Sequence, residues 1–223
     1  DGPTTVTVTP INGAVQVSPT ILDFTMLNYA TPQTVTVTSS SDDDVAGFTT
    51  TIRLTAPATA TQPALSYDVS VTVVDDDVQV LQFVAANPFT VIEEQTASFT
   101  ARLAFRPGSD AVVAVSAVDP VLASVAPGAL TFTTSTWNLP QAVVVSALHD
   151  NDVAPETTAI RLAHPIVPTF DLATTIIDND TLALVIPAPP TIINEGATAT
   201  LMVSLNWEPT TTISVSITSS NPA

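Results

Sequence analysis

Along most of the chain, Val, Ile, Leu and Phe alternate with Thr and Ser at a period of two, in short stretches bounded by Pro, Asp, Asn and Gly. That period belongs to half-buried β-strands, in which successive side chains point to opposite faces. In the segment 78–180 it predicts strands over Thr96–Ala104, Ala111–Val118, Ala129–Thr133, Gln141–Leu148, Thr157–Ala163 and Phe170–Ile177. An initial strand is shared between Val78–Val84 and Phe89–Ile92. No stretch has the 3.6-residue period of a long helix. Seven strands at this spacing, labelled A to G, predict an all-β, immunoglobulin-like antiparallel β-sandwich. Thr and Ser fill outward positions where Lys and Glu are usual, so the surface carries few charges.

The pattern repeats. Val17-Ser18-Pro19, Leu22, Phe24, Tyr29, Pro32-Gln33, Asp42, Asp44 and Ile52-Arg53-Leu54 recur 108 residues later as Val125-Ala126-Pro127, Leu130, Phe132, Trp137, Pro140-Gln141, Asp150, Asp152 and Ile160-Arg161-Leu162. Glu93, Phe99, Leu103, Pro107, Val113, Val115 and Asp119-Pro120 recur at an offset of 102 as Glu195, Leu201, Leu205, Pro209, Val215, Ile217 and Asn221-Pro222. Asp75-Asp76-Asp77 recurs as Asp178-Asn179-Asp180, at 103. These matches place a partial first repeat at 1–77 (strands C to G), a complete repeat at 78–180 and a partial third repeat at 181–223 (strands A to C). The chain reads as a window on a tandem, end-to-end array of seven-stranded sandwiches.

Composition narrows the function. The formal charge is −17, with 21 acids against four basic residues. All four are Arg (Arg53, Arg102, Arg106 and Arg161), and they are scattered, which excludes a phosphate-tracking nucleic-acid groove. With no cysteine and two histidines, disulfides, thiolate sites and His-rich metal sites are excluded as well. Pro, Asp and Thr interrupt every apolar run before it reaches the ~20 residues of a membrane-spanning helix, so direct membrane insertion is not expected. Asp1-Gly2-Pro3 is not a signal peptide and fits a mature chain or an excised fragment.

The acids are not spread evenly. In an up-and-down sandwich Glu93 and Glu94 (A–B), Asp119 (C–D), Asp150, Asp152 and Glu156 (E–F), and Asp178 and Asp180 (after G) all fall at one pole. The other pole receives Asp110 alone. With Asp42, Asp43, Asp44, Asp75, Asp76, Asp77 and Glu195, these clusters hold 15 of the 21 acids. Carboxylates so gathered repel one another unless a cation neutralises them. Calcium, a hard ion taking six to eight oxygen ligands, suits an Asp- and Glu-rich set. The alternative is that these are solvated turn acids, since Asp and Asn favour turns. Four clusters recurring in register favour the ion.

Glu195-Gly196 before a Thr/Ala strand, the run Phe132, Trp137-Asn138, Pro140-Gln141, the sequence Asp150-Asn151-Asp152 followed by Glu156, and the terminal Asp178-Asn179-Asp180 together resemble Calx-beta domains. The likeness is greatest to the tandem copies in large bacterial surface and secreted proteins. It implies a sandwich that binds Ca²⁺ at the pole near the next domain, through positions matching Glu93, Asp119, Asp150, Asp152, Glu156, Asp178 and Asp180. The Gly-Thr-Ala and Asp-Tyr elements of exchanger versions are missing between strands C and D, and Phe48 stands where the complete repeat has Glu156. A full site is therefore expected at the 180/181 junction rather than at 77/78.

Other chemistry is weaker. Asn179-Asp180-Thr181 matches a glycosylation sequon but coincides with the candidate metal linker. His149 reads as an exposed loop residue, or as a ligand or pH sensor. Trp137 and Tyr29 read as hydrophobic plugs, with sugar stacking the alternative. Glu93 and Glu94 beside Asp150 lack the cleft and aromatic cluster of a glycosidase pair. The expected protein is a non-enzymatic structural module of an extracellular or cell-surface repeat protein, an adhesin stalk or filament, stiffened by Ca²⁺ at junctions. Its partners would be neighbouring repeats, and strand addition between molecules could build a fibre. A glycan- or protein-binding adhesion module and a calcium-sensing regulatory domain are the competing readings.

Overall fold

The computed structural model describes residues 4–165, 167–190 and 192–220; Asp1-Gly2-Pro3 and the Asn221-Pro222 match lie outside the described residues. The protein is all-β. Its described residues contain no helix, and hence none long and apolar enough to cross a membrane. They form two compact units: one holds the residues up to Gln79 together with Phe105–Ser109, the other Val80–Ala104 and the residues from Asp110 onward.

The first unit contains β1 (Thr4–Pro10), β2 (Val15–Ser18), β3 (Ile21–Phe24), β4 (Thr36–Ser39), β5 (Phe48–Ala56) and β6 (Leu65–Val73). They form a sheet in the order β3-β1-β5-β6 and a separate pair β2-β4. Its core is small, centred on Val8, Val15, Leu22 and Ile52. Leu65, Tyr67 and Val69 of β6 share a face and remain 63%, 71% and 39% exposed.

The second unit contains β7 (Leu81–Val84), β8 (Phe89–Ile92), β9 (Thr96–Leu103), β10 (Ala111–Ala117), β11 (Ala123–Ala126), β12 (Ala129–Phe132), β13 (Gln141–Ala147), β14 (Glu156–His164) and β15 (Val167–Ile177). Two sheets, β12-β10-β14-β15-β8 and β11-β13-β9-β7, enclose Phe99, Leu103, Leu130, Phe132, Ile160 and Leu162, each at most 2% exposed. Alternation explains this core directly: Ala111, Val113 and Val115 of β10 are buried, and the residues between them are exposed. Phe89 meets Phe99 edge-on at 5.8 Å, and Phe83 of β7 stacks on Phe170 of β15 at 4.0 Å. Tyr67, the residue of β6 equivalent to Phe170, is exposed because the first unit holds no counterpart of β7 among the described residues.

Nine strands stand where seven were expected. Strand A is two elements, since Pro88 has no amide hydrogen to donate and the chain changes sheets between β7 and β8. As a result β8 runs parallel to β15, the one parallel pair among the described strands. The additional strand β11 pairs with β13, although Ala-Ser-Val-Ala is a weak strand sequence. The third repeat also departs from expectation. Apart from a single bridge at Glu208, its described residues pair only at β16 (Leu184–Val185) and β17 (Ser204–Leu205), and the strand expected over Ile213–Thr218 is not formed. Its counterpart β10 is held between β12 and β14, and the described residues offer Ile213–Thr218 no such neighbours.

Candidate metal centre

Strand pairing brings the acids of the second unit together. The parallel register sets Ile92 opposite Ile177, so Glu93 and Asp178 leave β8 and β15 side by side. Glu156 opens β14 opposite Ile176, and the Ala147 amide bonds the Gln95 carbonyl at 3.1 Å, which carries the 148–152 loop to the same end. Glu93, His149 and Asp180 offer ligand atoms within 4.8 Å of one another, and so do Asp150, Asp152 and Asp178.

Glu93 is the anchor. Although ionisable, it is 1% exposed. Its amide donates to the Ile177 carbonyl at 2.9 Å, and its own carbonyl accepts from Asn179 Nδ2 at 2.8 Å. Its Oε1 accepts the Asp150 amide at 2.5 Å and lies 3.1 Å from His149 Nδ1. Its Oε2 is buried with no hydrogen-bond partner, as are Asp178 Oδ2 and Asp180 Oδ2, the last 3.8 Å from His149 Nδ1. A buried carboxylate oxygen without a donor loses its hydration and receives nothing in return. Three such oxygens at one end of a sandwich are what a bound hard cation would satisfy, so the donor set fits calcium.

The turns prepare these oxygens. Asp150 Oδ1 accepts the Asp152 amide at 3.0 Å, Asp152 Oδ1 accepts the Ala154 amide at 2.6 Å, and Asp178 Oδ1 accepts the Asp180 amide at 2.7 Å. One oxygen of each carboxylate thus folds its own loop and the other stays uncommitted. Burial, reinforced by Asp150, Asp152, Asp178 and Glu93, pushes the Glu156 carboxyl up to about 7. Burial also raises Asp180 above its ordinary value; His149 opposes the shift, while Asp178, Glu94 and Asp150 add to it. Glu94 occupies the left-handed region at φ 60°, in a turn closed by the Gln95 amide on the Ile92 carbonyl.

The first unit repeats half of this design. Asp42, Asp44 and Asp75 offer ligand atoms within 4.8 Å, and the turn bonds recur from the Asp44 amide to Asp42, from Ala46 to Asp44 and from Asp77 to Asp75. Gly47 permits the close approach here, because a Cβ would stand 2.8 Å from the Val73 carbonyl oxygen. Asp77 is raised by burial and by its neighbours Asp75, Asp76, Asp42 and Asp43. Asp44 is lowered instead, first by its bond to the Arg106 guanidinium and then by the Ala46 amide.

Not every candidate joins a cluster. Asp119 Oδ1 caps a turn by accepting the Val121 amide at 2.9 Å, and its carboxylate belongs to none of the three ligand groups. Glu195 is exposed and equally apart, as are Asp43 and Asp76. Trp137 packs against the core, as a plug does, whereas Tyr29 is 74% exposed. Sequence reasoning passed over Arg106 and Glu208, which stand at matching positions one residue before Pro107 and Pro209. It also passed over Trp207, whose ring meets His149 edge-on at 5.1 Å.

No family model and no curated protein matches the chain. Among solved structures, domains 4 and 5 of the S-layer protein SbsC are similar over 77% of this chain and 70% of theirs, at 14% identity and a TM-score of 0.38. Domains 4–9 of the surface layer protein SbsC match over 90% of this chain and 27% of theirs, at 11% identity and 0.39. A protein of unknown function from Porphyromonas gingivalis matches over 79% and 86%, at 9% identity and 0.30. Likeness this slight carries neither fold nor function to the chain.

Proposed function

We propose that the chain is a non-enzymatic structural module of an extracellular repeat protein, a Calx-beta-like surface stalk or filament, that binds Ca²⁺ where its second repeat passes into its third. The observation that carries the reading is the set of orphaned buried oxygens on Glu93, Asp178 and Asp180. Glu93, Asp150, Asp152, Glu156, Asp178 and Asp180 would hold the ion. Without it, these carboxylates repel one another and the linker around Asp178-Asn179-Asp180 is loosened. A bound divalent cation would supply the missing charge, and the same side chains would then fasten the linker to the 93–95 and 149–152 loops. An ion that binds the folded chain alone adds stability in proportion to RT ln(1 + [Ca²⁺]/Kd). Titration calorimetry of the whole chain with CaCl₂ is the test: saturable binding lost in Asp178→Asn supports the reading, and no binding at millimolar Ca²⁺ refutes it.

Self-association by strand addition belongs to the same reading. In the second unit Phe83 of β7 stacks on Phe170, Leu172 packs against the core and β8 pairs with the edge of β15, whereas the corresponding Tyr67 and Val69 stay open. The segment that repeats β8 and β9 retains Ile193, Leu201 and Val203, which are 54%, 42% and 40% exposed. Their counterparts Val91, Phe99 and Ala101 lie in the core of the second unit. A second copy of the chain offers this segment to the open face.

A further inference from the structure

The acidic centre of the second unit and its partial copy in the first differ at one backbone position that the two share. In the first, the Arg106 amide donates to the Asp43 carbonyl at 2.7 Å; in the second, the Glu208 amide donates to the Asn151 carbonyl at 2.9 Å. The adjoining bridges match as well, Asp44 to Arg106 and Asp152 to Glu208, both parallel. Asp43 and Asn151 are 108 residues apart, and Arg106 and Glu208 are 102 apart, the two offsets of the repeat. One backbone position therefore carries Arg beside one cluster and Glu beside the other.

The consequences separate the clusters. Arg106 Nη2 makes an ion pair with Asp44 Oδ2, so the carboxylate at the middle of the first cluster already has a cation fastened to it. In the second, no arginine makes an ion pair among the described residues, while Glu93, Glu94 and Glu156 enlarge the negative charge. The orphaned oxygens follow the same division. Those of Glu93, Asp178 and Asp180 belong to the second cluster, and the first contributes none among the described residues. An Arg is always charged and offers several donors, but it cannot be withdrawn by a chelator.

We infer that Arg106 is a built-in replacement for a divalent cation, which makes the first acidic cluster independent of calcium and confines ion binding to the second. The inference rests on reading the second cluster as a cation site. It makes the identity of the residue before the repeat-matched prolines, Pro107 and Pro209, the feature that sets whether a given repeat junction depends on calcium.

The test is calorimetric titration of CaCl₂ into the full chain and its Arg106→Glu and Arg106→Gln variants, with circular dichroism to establish folding. The unsubstituted chain reports on the second cluster alone. Arg106→Glu is expected to gain about one further ion per chain, a gain abolished by adding Asp44→Asn. Arg106→Gln, which removes the charge and adds none, is expected to gain binding more weakly and serves if the Glu variant does not fold. Unchanged stoichiometry in folded variants overturns the role of Arg106 whatever the unsubstituted chain does. Absence of binding by the unsubstituted chain, together with a gain in Arg106→Glu, would refute the second-cluster reading and leave that role standing.

Discussion

Ile92 and Ile177 face each other across the one parallel strand pair among the described strands, and the carboxylates of Glu93 and Asp178 follow directly from that register. Antiparallel neighbours at this edge would send the two acids to opposite ends of the sheet. The change of sheets at Ala85–Pro88 is therefore what builds the acidic centre, since it turns the second half of strand A alongside β15.

Glu93→Gln preserves the side chain's shape and its contact with the Asp150 amide but removes the charge behind the orphaned oxygen. Calcium affinity is expected to fall at least about tenfold, about 1.4 kcal/mol, with little loss of stability in calcium-free buffer. Titration calorimetry and urea unfolding measure the two effects separately.

The Glu156 carboxyl, raised from 4.5 to about 7 by burial and then by Asp150, Asp152, Asp178 and Glu93, sets a pH dependence. Below its unfolded value the group is protonated in both states; between the two values only the folded chain holds the proton. Calcium-free stability is thus expected to fall as pH rises from about 4.5 to about 7, then to level off. Asp180 and Asp77 act in the same direction. Because calcium needs the deprotonated carboxylate, its binding near pH 6 should release up to about one proton from Glu156. Calorimetry in buffers of different ionisation enthalpy counts it.

Glu94 sits at φ 60° where Gly196 occupies the equivalent turn at φ 79°. A side chain in this region costs about 1 kcal/mol, which glycine avoids. Glu94→Gly is expected to raise calcium-free stability by about that amount, and by less in excess calcium, where a neighbouring carboxylate is useful. Chemical denaturation with and without the ion checks the difference.

In the core, Phe99 is 2% exposed and packs against Phe89 and Phe83. Phe99→Ala should cost about 3–5 kcal/mol, enough to threaten folding of the second unit in the absence of calcium. Urea unfolding followed by tryptophan fluorescence reads the loss.

The open face of β6 gives a separate expectation. Sedimentation velocity over a rising concentration series should show association, and Lys at Tyr67 and Val69 together should suppress it, as charges on exposed edges do.

Much of the fold was legible because residues such as Phe99, Ala101 and Leu103 alternate with Ser98, Thr100 and Arg102, a pattern that only a strand can split into two faces. β11 was not, because four residues of Ala, Ser and Val carry too little pattern, and its existence depends on pairing with β13. Burial was the harder matter at the site. Nothing local distinguishes Glu93, sealed beneath Asn179 and Asp150, from exposed Glu94 beside it. Likewise Asp119 had the right residue type at the right pole and makes the same kind of turn bond, yet its carboxylate stands outside every group of converging ligand atoms. The exchange of Arg106 for Glu208 was visible in the repeat alignment, but its meaning depends on contacts with Asp43 and Asn151 that lie far off along the chain.

Thermal unfolding of the whole chain in excess EGTA and in millimolar Ca²⁺, at matched ionic strength and neutral pH, tests the central claim most directly. A melting temperature that climbs steadily with calcium concentration, and does not climb in Asp178→Asn, is the predicted result. Identical unfolding curves in EGTA and in calcium would contradict it.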